Sequence, residues 1–586
     1  MSAKAVSLQG GAPGSSGLRL SVGQFSCAGC KPVNQDSMAA RLPQGLEANF
    51  KGAAFAVADG ISSSAVSQVA AETAVKALVT DYYATPQAWT AQTSVARVVQ
   101  ATNSWLYAQN RAQRTSDLNQ GLVCTLSALV VKGREAHVFH VGDSRISRLQ
   151  RSGLEPLTQD HTTVLSDSQH YLGRALGIGH RVDIDYLAVP TAAGDIFLLT
   201  TDGIHDFVDD ASICSYLRAG AELTDVARQI AWAALEAGST DNLTVQLVRI
   251  DQLTEISSSY LVPDLGLPIP STLRPGGRLD QFELLREVHH SSRSQLMLAT
   301  DAAGELVALK IPVAESSENE AYLQRFLFEE WIARRVDSPH VVKAASAEGR
   351  RSASYVAMQW VQGTTLRQWM TDHPEPEIES VRAIAEQVAR GLRALHRQEM
   401  IHQDLRPENV MIDDRGVVTI IDLGSVAVAG VEQAAPGLLG SLPGTYQYTA
   451  PEYLSGDQVS WRSDQYALAT IVYEMLTGRL PYGAQVARVR NRRDQRQLKY
   501  QPADLGDRAV PAWIDHALAR ACHRDPVRRY DALSDLLVDL RAPASDFRPR
   551  ASRPLLERNP LRFWQSLALA QTLLLIYLAS LWPGSG

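Results

Sequence analysis

The chain has 586 residues, 45% hydrophobic and 20% charged, with a net charge of −7. That length exceeds what one hydrophobic core supports, so two or more domains are expected. Mild acidity excludes the basic footprint of a nucleic-acid binder, and five scattered cysteines exclude a disulfide framework, which fits a reducing compartment.

Met1 to Gly17 is small and polar with no apolar core, so it does not read as a signal peptide. Cys27 and Cys30 form a C-x-x-C with no second pair to complete a zinc site, and two small residues at a strand end are expected. Ala53 to Ala58, Thr125 to Val131, Ala136 to Val141 and Ile196 to Thr200 are short apolar or alternating runs that predict strands. Gln68 to Tyr83 and Ala91 to Ala112 have helical periodicity.

Acidic turns punctuate this region. Ala56-Val57-Ala58-Asp59-Gly60 and Leu198-Leu199-Thr200-Thr201-Asp202-Gly203 each end a strand on Asp-Gly, and Asp241-Asn242 precedes the strand Leu243 to Val248. One Asp-Gly is an ordinary turn. Phosphate esters resist hydrolysis because an anion repels its nucleophile, and paired hard cations held by carboxylates overcome that. In this order, with Asn34-Gln35-Asp36-Ser37, Val141-Gly142-Asp143-Ser144-Arg145, Asp160-His161-Thr162 and Ala175-Leu176-Gly177, the turns resemble the PPM family of metal-dependent serine/threonine protein phosphatases. The resemblance implies a β-sandwich flanked by helices over residues 18–252. It implies that Asp59 bridges two Mg²⁺ or Mn²⁺ ions with the Gly60 carbonyl on one of them. By the same resemblance Asp202 and Asp241 would complete the other, Asp36 would bind a metal or its waters, and Asp143 would hold a weaker third ion. Attack on phosphorus is then direct, without a phosphoenzyme. Lys31 stands where the family usually has Arg, which keeps positive charge for the phosphate but loses the bidentate fork. Ile61 stands where some members carry a His proposed as general acid.

Residues 253–279 collect Ser, Pro and Gly and predict a linker. Beyond it, Lys310 lies in the strand-like Val307-Ala308-Leu309-Lys310, and Glu329 lies in a helical stretch from Tyr322 to Arg335. Ile401-His402-Gln403-Asp404-Leu405-Arg406-Pro407-Glu408-Asn409 follows, then Ile421-Asp422-Leu423-Gly424, Ala450-Pro451-Glu452, Ser463-Asp464 and Arg529. This ordered set resembles the eukaryotic-like serine/threonine protein kinases over residues 280–542. A bilobal α+β domain is implied, with Lys310 on the ATP phosphates and paired to Glu329. Asp404 would take the substrate proton, Arg406 would sit near the γ-phosphate, and Asn409 and Asp422 would hold Mg²⁺. Glu452 would form a structural ion pair with Arg529. Three departures stand out. Val288 to Leu298 has no glycine, so a loosened lid and weak ATP affinity are expected. Arg406 replaces the usual Lys. Gln403 replaces the Arg that pairs with a phosphorylated activation segment, so little dependence on phosphorylation of Ser425, Ser441, Thr445 or Thr449 is expected. The arginines from Arg488 to Arg496 read as a solvated loop or helix face.

A Pro/Arg-rich connector, 543–562, leads to Phe563 to Trp582, an uncharged stretch about as long as a bilayer requires, with Trp564 and Trp582 at its ends. Arg548, Arg550, Arg553, Arg558 and Arg562 precede it, which predicts a membrane anchor with the catalytic domains in the cytoplasm. A buried amphipathic helix is the competing reading, because Gln565, Ser566, Gln571 and Thr572 are polar. The chain therefore reads as a bifunctional kinase and phosphatase acting on protein Ser/Thr and their phosphorylated forms, its own kinase half among them, with ATP and Mg²⁺ or Mn²⁺ as cofactors and no nucleic-acid partner. The alternative is a membrane-anchored phosphatase whose kinase half is a silent scaffold.

Overall fold

A computed structural model describes residues 4–10, 17–112, 120–166, 169–253, 263–270, 273–313, 319–346, 349–437, 447–503, 508, 510–548 and 560–580. Residues 254–262 and 271–272 of the expected linker, the arginines 550, 553 and 558, Trp582, Ser441 and Thr445 lie outside the described residues.

The strands of the first half are β1 (Lys4–Gly10), β2 (Arg19–Cys27), β3 (Ser37–Arg41), β4 (Ala53–Ala58), β5 (Leu126–Lys132), β6 (Glu135–Val141), β7 (Arg145–Gln150), β8 (Gly153–Pro156), β9 (Thr162–Ser166), β10 (Gln169–Leu172), β11 (Asp185–Pro190), β12 (Ile196–Thr200) and β13 (Leu243–Gln252). Eleven of them build a six-stranded sheet ordered β1-β2-β13-β12-β7-β8 and a five-stranded sheet ordered β11-β6-β5-β4-β3, while β9 and β10 pair with each other. Alternation along each strand explains why the two sheets stack. On β4, Phe55 and Val57 face the six-stranded sheet, meeting Phe197, Leu199 and Val248 in one core. Ala54, Ala56 and Ala58 point the other way, and their small side chains let the helices Ser67–Ala84 and Ala91–Ala112 lie close. The outer face of the six-stranded sheet, Phe25, Leu198 and Val245, is covered by the helices Asp210–Arg218 and Leu223–Glu236. Strands buried on both faces read as apolar runs, which is why β4, β5, β6 and β12 are visible in the sequence. The short polar β7, β8 and β11 are not, nor is β1, which falls inside the stretch read as polar and pairs antiparallel with β2.

The second half begins with an antiparallel sheet of β14 (Arg278–Leu279), β15 (Phe282–His290), β16 (Ser294–Thr300), β17 (Leu306–Pro312) and β18 (Val356–Gln359) in that order. The helix Glu320–Ala333 packs beside it, capped by the Asn319 side chain, which accepts from Tyr322 N. The larger lobe is helical. Its central helix Trp461–Thr477 is buried along nearly all its length, with a Ser460 capping box at its start and left-handed Gly478 at its end. The arginine run forms the short exposed helix Arg492–Gln497, as a solvated face should. The helix Pro560–Ser580 is long and apolar enough to cross a membrane, and its window Leu561–Leu578 has a mean hydropathy of 1.2 with none of it buried inside the protein.

One buried ion pair anchors the large lobe. Arg529 and Glu452 have fully buried side chains and bond in a fork, Nη1 to Oε1 at 2.6 Å and Nη2 to Oε2 at 2.7 Å. Removing one partner strands the other charge in the interior. Arg529→Ala is expected to destabilise this lobe by roughly 3–5 kcal/mol, measured as a lower urea midpoint, while the double change to apolar residues of similar volume costs much less.

Candidate active sites

Strand register gathers the acidic turns at one end of the sandwich. Ser37 pairs with Ala58, so Asp36 and Asp59, the next residues outward, lie side by side. Thr200 pairs with Arg145 on β7, and two residues further out are Asp202 and Asp143. Asp241 enters two residues before β13, which pairs with β12. Gly60 is needed here for space, since a Cβ on it would stand 2.8 Å from the backbone of Ser67, at the start of the helix packed over β4.

The carboxylates press on one another. Burial pushes Asp59 well above the usual range, and Asp36, Asp202 and Asp143 push it further. Burial raises Asp36 to about 6, against hydrogen bonds from Thr244 and Thr201 that favour its charge. Asp143 is raised to about 7 by burial and then by Asp202, while Asp202 is raised by burial and by Asp241. Thr201 Oγ1 donates to Asp36 Oδ2 at 2.8 Å. The buried Oδ1 atoms of Asp36 and Asp143 have no hydrogen-bond partner. Lys31 reaches this end of the sandwich, where its ammonium pairs with Asp241 and donates to Ser62 Oγ at 2.5 Å. Among the described residues no three of His, Cys, Asp and Glu are drawn together closely enough to grip an ion by themselves. The donor set nonetheless fits divalent cations: hard oxygens, crowded, raised in pKa, with two acceptor atoms left over.

Asn242 is a residue whose role the sequence does not reveal. Its Oδ1 accepts from Gln35 N at 2.8 Å, and its Nδ2 donates to the Ala28 and Val33 carbonyls at 3.0 Å. It thereby ties the Asp36 and Asp241 turns together. Thr201 and Thr244, which brace Asp36, are also invisible as site residues, because a buried threonine in a strand is ordinary. Cys27 ends β2 and is buried, and the exposed Cys30 donates to the Ser239 carbonyl at 3.7 Å.

In the second half Lys310, on β17, stands between two carboxylates. Its Nζ lies 2.9 Å from Glu329 Oε2 and 2.9 Å from Asp422 Oδ1. Glu329 is only 3% exposed, and its other oxygen accepts from Leu423 N at 3.0 Å. The Lys310 ammonium holds Asp422 below the usual range, whereas burial, opposed by Lys310, holds Glu329 above it. Asp422 adopts a positive φ of 61°, uncommon for a residue with a side chain. Asn409 Nδ2 donates to the Asp404 carbonyl at 2.8 Å and to its Oδ2 at 3.3 Å. Burial raises Asp404 to about 6, against the pull of Arg406. Arg406 lies 3.2 Å from Glu408 Oε2. Asp464 props the loop from His402 to Asn409, the counterpart of the kinase catalytic loop in the resemblance above, by accepting from His402 N at 2.9 Å and Gln403 N at 3.0 Å.

The glycine-free segment is a β-hairpin. β15 and β16 run to a turn closed by Ser291 N on the Ser294 carbonyl at 2.9 Å, with the Ser291 hydroxyl accepting from Ser294 N at 3.0 Å. Two register shifts in the β15–β16 ladder provide the bend that glycines would otherwise allow. The tip is tied down: Tyr322 of the Glu329 helix donates its hydroxyl to the Arg293 carbonyl at 2.9 Å.

Crowding of like charges generates a sign-specific expectation. A carboxylate raised on folding makes the native state bind more protons than the unfolded one, so its cost to stability is absent at acid pH and develops as pH rises through its folded value. In EDTA, Asp36→Asn is expected to melt close to wild type at pH 4.5 and above it at pH 7.5, by on the order of 2 kcal/mol. Thermal melts of both proteins at the two pH values check this.

Residues 26–237 match the protein phosphatase 2C family, and residues 286–537 match the protein kinase domain. The serine/threonine-protein kinase PknD of Mycobacterium tuberculosis is 29% identical over 266 residues, covering 45% of this chain and 40% of PknD. PrkC of Bacillus subtilis is 26% identical over 262 residues, covering 44% of this chain and 40% of PrkC. The chain thus spans about two fifths of the length of these curated relatives. Among solved structures, the M. tuberculosis serine/threonine phosphatase PstP is 27% identical, with a TM-score of 0.34, over 40% of this chain and 99% of PstP. The PstP catalytic domain in complex with two manganese ions is 28% identical at the same TM-score, over 40% of this chain and 99% of that one. The chain joins a protein phosphatase 2C domain, of the PPM type, to a protein kinase domain.

Proposed function

We propose that the chain is a bifunctional enzyme that phosphorylates protein serine and threonine with ATP and hydrolyses the resulting phosphoesters at a divalent-cation centre, with a phosphatase domain over residues 18–252 and a kinase domain over 280–542. The observation that carries the reading is the pair of carboxylate sites at opposite electrostatic settings in one chain. One is crowded and short of cations, and the other is poised around an ammonium.

In the kinase, Lys310 holds the α/β-phosphates of ATP and Glu329 holds Lys310. Asp404 accepts the proton of the substrate hydroxyl as that oxygen bonds to the γ-phosphorus and the bond to the ADP oxygen breaks. Arg406 lies beside the γ-phosphate, and Asn409 and Asp422 carry Mg²⁺. The hairpin Ser291–Ser294 covers the phosphates with side chains where glycines would offer bare N–H groups, which weakens nucleotide affinity. That hairpin is also what favours the second reading, a kinase half that is silent and serves as a scaffold.

In the phosphatase, Asp59, the Gly60 carbonyl, Asp36, Asp202 and Asp241 would hold two Mg²⁺ or Mn²⁺ ions, with Asp143 at a third. Bound there, the ions would offset the buried carboxylates, bind phosphate oxygens and supply hydroxide at neutral pH. Lys31 adds positive charge at the phosphate and exchanges Asp241 for it when substrate arrives. Close tethering makes the kinase half a substrate of the phosphatase half. The helix Pro560–Ser580 anchors the chain, with the preceding arginines keeping both domains on the cytoplasmic side.

Labelled ATP with wild type, Asp404→Ala and Asp202→Ala tests this in one measurement. Asp404→Ala is expected to lower phosphorylation of a protein substrate by about 10²–10⁴-fold and leave p-nitrophenyl phosphate hydrolysis intact. Asp202→Ala should abolish cation-dependent hydrolysis and increase the phosphate retained on the chain. Equal retention with an active kinase would dismiss self-dephosphorylation, and transfer that survives Asp404→Ala would dismiss the assignment of the base.

A further inference from the structure

The turn joining the phosphatase helices Ser67–Ala84 and Ala91–Ala112 is seated on the kinase domain. Gly430 N donates to the Ala88 carbonyl at 2.9 Å, and Ala91 N donates to Gln433 Oε1 at 2.8 Å. The Trp89 indole donates to the Arg397 carbonyl at 2.8 Å. The Glu399 carboxylate accepts from Thr90 N at 2.6 Å, Thr90 Oγ1 at 3.0 Å and Thr93 Oγ1 at 2.6 Å. Arg335 donates to Gln87 Oε1 at 2.8 Å, and Trp331 stacks on Phe50 with ring centroids 5.8 Å apart. Phe50 and Ala88, both buried, belong to the same apolar core as Phe328, Leu395 and Val431 of the kinase.

The turn is itself preorganised. Lys51, 1% exposed, donates to Thr85 Oγ1 at 2.6 Å, the Pro86 carbonyl at 2.8 Å and Ser94 Oγ at 3.0 Å, fixing both ends of the segment that carries the contacts. Burial lowers Lys51 to about 8 and neighbouring Lys132 to about 7, and Glu399 from the kinase side offsets both. Backbone approach is close enough to demand glycine. A Cβ on Gly430 would lie 2.5 Å from the Ala88 carbonyl oxygen and 2.6 Å from that of Trp89.

The kinase parts gripped are those whose position decides whether phosphoryl transfer occurs. Trp331 belongs to the last turn of the helix that carries Glu329, and Arg335 follows two residues after that helix ends. Gly430 and Gln433 lie in the short helix Ala429–Ala434, a few residues after Asp422. Glu399 immediately precedes the strand Met400–Ile401, which leads into the catalytic loop and pairs with Ala427–Val428. Gln403, meanwhile, offers no cation to a phosphorylated activation segment.

We propose that the phosphatase domain is a built-in brace of the kinase. Its Pro86–Thr93 turn, together with Phe50, holds the end of the Glu329 helix and the start of the activation segment in the arrangement that pairs Lys310 with Glu329, doing by protein contact what an activating phosphate would do by charge. The proposal rests on the kinase reading above. It makes kinase output depend on the presence of the phosphatase fold and not on phosphatase turnover.

Full-length Gly430→Ala attacks the contact from the kinase side, where all the nearest atoms to the new methyl belong to the phosphatase domain. Full-length Thr90→Val/Thr93→Val attacks it from the other side by leaving Glu399 without its hydroxyl donors. Amide hydrogen exchange of segments 320–333 and 427–434 is expected to rise at least tenfold in both variants, and transfer from labelled ATP to a protein substrate to fall at least tenfold. Hydrolysis of p-nitrophenyl phosphate should stay within twofold, showing that the phosphatase fold survives. Faster exchange with transfer within twofold of wild type would overturn the proposal, as would unchanged exchange in both variants. A wild-type chain that transfers no phosphate would instead defeat the kinase reading, and the exchange data would still decide whether the turn holds the two segments.

Discussion

Buried carboxylates are the constraint around which both halves are arranged. A carboxylate withdrawn from water must find positive charge, hydrogen-bond donors or a proton. The kinase domain supplies an ammonium from its own chain: Lys310 lies 2.9 Å from both Glu329 and Asp422. The phosphatase domain supplies hydroxyl donors to Asp36 and a lysine to Asp241, and leaves Asp59, Asp143 and Asp202 raised in pKa. One site has a cation of the chain's own between its two carboxylates, and the other crowds carboxylates whose charge the described side chains only partly offset.

Each site depends on rigid elements meeting at their ends. In the sandwich, the β3–β4 and β7–β12 registers bring four aspartates to one rim, and Asn242 links two of the turns. A slip of one residue would turn the flanking apolar residues out of the core, so the packing of Phe55, Val57, Phe197 and Leu199 also fixes the carboxylates. In the kinase the same service is done by Asp464, which holds two successive backbone N–H groups of the catalytic loop, and by the fully buried Arg529–Glu452 fork. The contact between domains extends this logic. Lys51 organises a turn in one domain, and Glu399 of the other domain accepts from Thr90 of that turn and offsets the buried charge of Lys51.

Much of this was legible in the chain. β4 and β12 were visible because strands buried on both faces are continuous apolar runs, and the helices at 67–84 and 91–112 because their apolar residues recur at helical spacing. β7, β8 and β11 were hidden because they are short and partly polar, taking their stability from neighbouring strands. The Lys310–Glu329 and Arg529–Glu452 pairs could be anticipated from ordered motifs. Thr201, Thr244 and Asn242 could not, since nothing local distinguishes a bracing residue from an ordinary strand or turn residue.

The missing glycines show the same division. Their absence from 288–298 is a plain fact of sequence, and it argues for a reshaped lid. The hairpin closed by Ser291, bent by two register shifts and tied by Tyr322 to the Glu329 helix, is a product of pairing across strands. By itself the sequence determined which chemical groups were present, in what order and on which kind of element, because those follow from residue type and periodicity. Tertiary structure alone decided which charges face one another, that Lys31 meets Asp241, and that Thr90 and Thr93 meet Glu399. Such pairings join residues hundreds of positions apart, and only the packing of whole elements sets their distance.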